Sequence, residues 1–132
     1  AAASKMCRSV VVKGMEALLT ESLLAARYHG VEQEVLASLG EMFPHPDWQR
    51  QAHYMITRSL EHGVRRAEEM REAAQTVAEA GIEPWMSEAC VQRQDWAAQF
   101  GGALEQRELH ALLDSILGRA SKQQETAEDP GP

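Results

Sequence analysis

The strongest constraint on this chain is one long apolar stretch near its beginning, residues 4–30. Between positions 10 and 26, apolar residues fall on nearly every face of the helix that this stretch would form. A helix that is apolar all round belongs in the interior of a protein or in a membrane. Lys13, Glu16 and Glu21 interrupt the apolar run and argue against a membrane span. The stretch therefore predicts a central buried helix around which the rest of the chain packs.

Composition sets the class of protein and excludes several functions. The 132 residues suffice for one domain with a real core, and 44% apolar with 25% charged residues is typical of soluble globular proteins. A net charge of −7 argues against a nucleic-acid partner. Cys7 and Cys90 form no disulfide framework, and no histidine or cysteine spacing indicates a metal site. We expect a cytoplasmic protein with no signal peptide and no contact with a membrane.

The remainder of the chain reads as further amphipathic helices with no confident strand. Five are expected after the first, at residues 31–43, 48–60, 64–80, 88–100 and 105–119. Gly30 and Gly81 suit helix C-terminal ends, whereas Asp47 and Ser87 suit N-caps. The pair His62-Gly63 is expected to break or bend the chain. The predicted fold is all-α, an irregular multi-helix bundle over residues 1–120, followed by a disordered polar tail at 121–132.

The first turns of the long helix have an unusual charge order. Lys5, Arg8 and Lys13 all precede the first acid of the chain, although a helix N-terminus already carries positive partial charge. Such an arrangement suits an anion site, but it is also compatible with ordinary solvated charges at a chain end. Lys5, crowded by Arg8 and by the helix start, is the best candidate for general acid–base chemistry.

Two blocks of sequence resemble a known enzyme family. The run KMCRSVVVKGMEALLTESLLAARYHGV, residues 5–31, resembles the interdomain helix of the β-hydroxyacid dehydrogenase superfamily, which includes 6-phosphogluconate dehydrogenase. The run EHGVRRAEEM, residues 61–70, resembles a second family region that commonly reads Lys-Asp-Leu-x-Leu-Ala, with His62 in place of its lysine. With EPWMS and VQRQDWAA further on, the chain is similar to a subgroup whose helical C-terminal domain is catalogued as of unknown function.

The resemblance implies a function for the intact protein. In the family, a Rossmann domain that binds NAD or NADP precedes the helical domain, and no such domain is found in this chain. Lys5 matches the catalytic lysine, and Arg8 and Ser9 replace the family's polar substrate-binding pair. A guanidinium at that point suits a small acidic substrate. His62 would line the site for substrate or cofactor. The resemblance also implies a homodimer, and a chain that binds no cofactor and is inactive alone.

Two other hypotheses remain open from the sequence. The chain could be a stand-alone helical interaction or dimerisation module without chemistry. It could also be a small all-α enzyme whose site lies between subunits, with Lys5, Arg8 and Lys13 as anion ligands. A coding sequence that continues upstream into a strand–GxGxxG–helix pattern would favour the dehydrogenase hypothesis over both.

Overall fold

The computed structural model describes residues 2–128, with side chains as far as residue 127. These residues form five α-helices and one 3-10 helix, and no strand occurs among them. The elements are α1 (Ala2–Tyr28), α2 (Glu32–Met42), α3 (Trp48–Glu79), α4 (Trp85–Ala97), the 3-10 helix (Ala98–Glu105) and α5 (Leu109–Glu128). The all-α prediction is confirmed.

The end of α1 is fixed by a glycine and an arginine. Gly30 has φ of 72°, a left-handed conformation that glycine adopts without steric cost. The N–H of Val31 donates to the Ala26 carbonyl at 2.8 Å, which closes the last turn. The Arg27 side chain then donates to Asp114 of α5 at 2.8 and 3.0 Å and also pairs with Glu32. This end of α1 is therefore fastened to both α2 and α5.

The third and fourth predicted helices are one helix, α3, with a kink. Asp47 caps its start, because its carboxylate accepts from the Arg50 N–H at 3.2 Å. The predicted interruption is confirmed as a bend, since His62 has non-helical angles of φ −121° and ψ 16°. At the next position, a Cβ added to Gly63 would collide with the Gln94 carbonyl oxygen of α4. Glycine is therefore needed where the two helix backbones approach most closely.

Two boundary predictions were wrong. Ser87 is not an N-cap: α4 begins two residues earlier, at Trp85 after Pro84, and Ser87 is buried inside it. The last helix begins at Leu109 and continues to Glu128, so the predicted disordered tail is helical from residue 121 to 128. Residues 121–127 are exposed, so local helix propensity sustains this last part of α5 without packing. Residues 129–132 lie outside the described residues.

The core is shared between α1 and α3. Helix α3 packs against every other helix, and α1 packs against all four other α-helices. The largest fully buried apolar side chains come from four elements, α1, α3, the 3-10 helix and α5: Leu23, Ile56, Met70, Phe100, Leu112, Leu113 and Ile116. Helix α1 is not buried all round, however, because Val11 and Leu18 are 61% and 56% exposed. Over residues 2–128, none of the helices combines the length and apolar character that crossing a membrane requires.

Candidate functional site

The N-terminal end of α1 presents two cations at the surface. Lys5 and Arg8 are exposed, whereas Ser9 is only 3% exposed. Lys5, Ser9 and Glu16 are separated by four and seven residues, so they share one stripe of the helix. Glu16 bonds to α3, and this stripe therefore faces α3. Lys5 lies at the outer end of the stripe, with Ser9 one turn further in.

Helices α1 and α3 run antiparallel, which separates His62 from Lys5. Lys13 Nζ lies 3.4 Å from Glu69, and Arg66 Nε donates to Glu16 at 2.7 Å, so higher numbers on α1 meet lower numbers on α3. His62, four residues before Arg66, is level with residues near 20 on α1. At 1.5 Å per residue, this position is about 22 Å along the helix from Lys5. His62 instead lines a surface depression with Arg65.

A buried polar cluster, which the sequence did not predict, lies where α1, α3 and α4 cross. Arg66 donates from Nε and Nη2 to the two carboxylate oxygens of Glu16, at 2.7 and 3.2 Å. Gln94 Nε2 donates to the same carboxylate at 3.3 Å and to the Lys13 carbonyl at 3.2 Å. All three side chains are less than 9% exposed. We name Glu16, Arg66 and Gln94 the polar crossing.

A sequence signal for the polar crossing did exist. Glu16 lies beside Ala17 and one turn before Leu19 and Thr20, all of which are buried. Arg66 lies next to Ala67 and one turn before Met70, on the apolar face of α3. Opposite charges on the apolar faces of two helices indicate a buried pair, because an unpaired charge at such a position is costly.

Cys90 lies at the edge of the polar crossing. Its thiol donates to the Lys13 carbonyl at 3.3 Å, and the side chain is 3% exposed. Burial raises the pKa of Cys90 to about 11, so the thiol is neutral near pH 7. Cys7, in contrast, is exposed on the first turns of α1. The two cysteines are free, and only Cys7 is accessible to reagents.

The structure separates Lys13 from the other two cations that the sequence offered as anion ligands. The Lys13 ammonium group is mostly buried and paired with Glu69, so of the three early cations only Lys5 and Arg8 are presented to solvent. From residue 2 to residue 128, no group of three or more histidine, cysteine, aspartate or glutamate side chains is arranged to hold a metal ion.

Comparison with known proteins gives one family and two informative structures. Residues 26–97 match the family described as Domain of unknown function (DUF1932). No curated protein matches the chain. A conserved hypothetical protein from Sinorhizobium meliloti 1021 is 36% identical, with a TM-score of 0.76 over 89% of this chain and 40% of its own. MTH1747, a conserved protein of unknown function, is also 36% identical, with a TM-score of 0.66 over 75% of this chain and 38% of its own.

The structure of MTH1747 is described as similar to 3-hydroxyacid dehydrogenases. The fold and the family resemblance predicted from residues 5–31 and 61–70 are therefore confirmed. The chain spans about two fifths of the length of both solved relatives. The family match begins at residue 26 and includes His62, but not Lys5, Arg8 or Ser9. This chain belongs to the DUF1932 family and has the fold of the helical C-terminal domain of hydroxyacid dehydrogenase-like proteins.

Proposed function

We propose that this chain is the substrate-side helical domain of an NAD(P)-dependent hydroxyacid dehydrogenase. The observation that carries the proposal is the pair of exposed cations, Lys5 and Arg8, in the first turns of α1 in a domain with this family's fold. Exposed cations at a helix start, without an acid in the first turn, are arranged to meet an anion. A small hydroxyacid supplies both the anion and a proton to transfer.

The roles that we propose for the side chains rest on the resemblance of residues 5–31 to the interdomain helix of the family. Bound NAD(P) would supply hydride acceptance from the carbon that bears the hydroxyl. During oxidation, the Lys5 amine takes the hydroxyl proton. During reduction, the Lys5 ammonium returns that proton. The Arg8 guanidinium holds the substrate carboxylate with two parallel hydrogen bonds. Ser9, one turn inward from Lys5, forms the floor of the proposed site.

Cofactor binding falls mainly to a part of the protein outside this chain. The sequence has no glycine-rich turn of the GxGxxG kind, on which a dinucleotide pyrophosphate rests. We propose that a Rossmann domain supplies that turn and closes over the Lys5 end of α1. Because His62 is about 22 Å along the helix from Lys5, we assign it a contact remote from the reacting carbon, with the distal part of cofactor or substrate.

The test is turnover of the full-length protein on a panel of small hydroxyacids with NAD and NADP. Lys5→Ala is expected to lower kcat by about 10²–10⁴-fold, the usual contribution of a positioned acid–base group. Its thermal unfolding should be unchanged, because the side chain is exposed. The matched control is Lys122→Ala on the exposed end of α5, for which kcat should not change. Unchanged turnover in Lys5→Ala would contradict the proposed role.

A second candidate function is dimerisation or protein interaction without catalysis, and the exposed side of α1 favours it. Val11 and Leu18 lie seven residues apart on one face of the helix and line a groove with Met86 of α4, which is 67% exposed. Exposed apolar side chains in one groove mark interaction sites. We propose that this groove supports a homodimer, within the dehydrogenase or on its own.

Sedimentation of the chain tests the dimer. Leu18→Glu is expected to convert a dimer to a monomer, because it places a charge in the proposed interface. Tyr54→Glu is the control, since Tyr54 is comparably exposed on α3 and does not line the groove. A monomeric parent chain, or a Leu18→Glu variant that remains a dimer, would contradict the proposed interface. Neither result depends on catalysis, so the two candidate functions are tested separately.

A further inference from the structure

The first turns of α1 have little support of their own. Between Ala2 and Val12, only Ser9 is buried, and Met6 and Val10 are half-buried against α3 and α4. The position of Lys5 and Arg8 therefore depends on how the rest of α1 is seated. An apolar helix interface tolerates sliding more readily than a directional one, because apolar contacts have no preferred bond direction.

The polar crossing holds the most deeply buried ion pair between α1 and α3, and the more exposed Lys13–Glu69 pair lies three residues closer to that end. Arg66 holds both oxygens of the Glu16 carboxylate, and this geometry fixes both the separation and the orientation of the two groups. Gln94 adds a bond from α4 to the same carboxylate and a second bond to the α1 backbone at Lys13. Helices α3 and α4 are thus both tied to Glu16 on α1, eleven residues after Lys5.

The axial position of α1 against α3, which we call its register, is strongly constrained at the polar crossing. A slide of α1 by one turn would leave Glu16 and Arg66 buried without each other, and an unpaired buried charge is strongly unfavourable. Buried ion pairs often add little net stability compared with well-packed apolar residues, and their best-attested use is to specify register. The Gln94 amide is also oriented by α1. Its Nε2 donates to two acceptors on α1, whereas its buried Oε1 has no hydrogen-bond partner among residues 2–128.

We propose that Glu16, Arg66 and Gln94 are positioning residues that set the register of α1 on α3 and α4, and thereby the position of the Lys5 end. For catalysis, this inference rests on the proposed function, since it makes the three residues support for Lys5 and Arg8. The register itself does not depend on that function and can be measured without any substrate.

The register test is a distance measured between spin labels on this chain. One label is placed on the native Cys7, which is exposed, whereas Cys90 is buried and remains unlabelled. The second is placed on Val64→Cys, an exposed site level with residues near 18 on α1 and therefore well separated from Cys7 along the helix. The two labels are separated along the helix axis, so a slide of α1 by one turn changes their distance by up to about 5.4 Å.

The key variant is Glu16→Met with Arg66→Met, which replaces the ion pair with apolar side chains. We expect a folded chain whose single distance becomes broad or shifts. The matched control is Glu21→Met with Arg93→Met, which removes an exposed α1–α4 pair of 2.7 Å and should leave the distance unchanged. An unchanged narrow distance in the Glu16/Arg66 variant would overturn the proposal.

A second variant keeps the test possible if the double Met variant does not fold. Arg66→Lys keeps the charge but loses the paired geometry, and it should broaden the distance in a folded chain. An unchanged distance in Arg66→Lys would also overturn the proposal. In the full-length protein, the double Met variant should lower kcat by about 10²-fold, the cost of a 1 Å misplacement, and should also raise KM, because Arg8 moves together with Lys5. A shifted distance with unchanged kcat would keep the register role and refute its link to catalysis.

Discussion

The two halves of α1 have similar apolar sequences but different surroundings. In the C-terminal half, Leu23 is fully buried and Leu24 is 7% exposed, because α2, α3 and α5 surround this part of the helix. In the N-terminal half, Val11 and Val12 are 61% and 39% exposed. An apolar side chain stabilises the fold only where another element covers it. The first half of α1 is therefore mostly surface, whereas the second half contributes Leu23 and Leu24 to the core and exposes Leu18 on its outer side.

The border between the halves is polar. Glu16 and its partners Arg66 and Gln94 lie after the exposed turns and before the apolar core. Along α1, exposed side chains in the first turns are thus followed by the hydrogen-bonded cluster at Glu16 and then by closely packed apolar side chains. Four comparisons of variants test this division, and they are given in order of decreasing expected effect.

Removing one partner of the buried pair should have the largest effect. Arg66→Met leaves Glu16 charged, buried and unpaired, so the free energy of unfolding should fall by about 3–5 kcal/mol. Arg93→Met, which breaks the exposed pair with Glu21, should cost about 1 kcal/mol or less. Urea unfolding followed by circular dichroism measures both. Equal losses in the two variants would show that burial does not distinguish the pairs.

Truncation of the core half should come next. Leu23→Ala removes a fully buried side chain and should lower the free energy of unfolding by about 2–5 kcal/mol. Val11→Ala, in the exposed half of the same helix, should change it by less than about 0.5 kcal/mol at concentrations where the chain is monomeric. The same urea titrations compare the two variants. A large loss in Val11→Ala would mean that the first half of α1 is covered by a second subunit.

The cysteines distinguish the exposed first turns of α1, which carry Cys7, from the packed contact between α1 and α4, which contains Cys90. Burial raises the pKa of Cys90 from its usual value of 9.0 to about 11, so the thiolate is about a thousandth of the population at pH 8. A thiol reagent at pH 8 should therefore modify Cys7 rapidly and Cys90 only after unfolding. This pKa shift makes the free energy of unfolding depend on pH. The contribution of Cys90 to the stability of the folded state is complete below pH 9 and is lost as the pH rises to 11.

Cys90→Ala should remove that alkaline dependence, whereas Cys7→Ala should leave it unchanged. The measurement is the urea midpoint between pH 8 and pH 11 for the parent and both variants. Two equally reactive thiols in the folded parent would contradict the burial of Cys90 between α1 and α4.

The smallest effect is expected at the far end of α1. The hydrogen bonds from Arg27 lower the pKa of Asp114, so this carboxylate favours the folded state at neutral pH. That contribution is lost as the pH falls and the carboxylate takes up a proton. Asp114→Asn should therefore flatten the acid side of the stability profile slightly, because the pair is largely exposed. A thermal-unfolding series from pH 7 to pH 3 would detect the change, and Glu105→Gln is the control.

The sequence by itself determined the features that depend on local backbone chemistry. Gly30 and Gly81 end helices at positive φ, and Asp47 caps α3, as their residue types predict. The all-α class and the family resemblance also followed from residue patterns along the chain. Ser87 was assigned wrongly because a serine suits an N-cap equally well wherever the turn begins, and here Pro84 precedes the first helical residue.

Only the tertiary structure decided which parts of α1 are covered and what lies opposite them. Glu16 and Arg66 are fifty residues apart in the chain, so no local pattern joins them. The antiparallel pairing of α1 and α3 likewise places His62 far from Lys5, although both belong to blocks with one family resemblance. Periodicity shows which face of a helix is apolar, but the energy of a buried charge depends on the group that meets it across the interface.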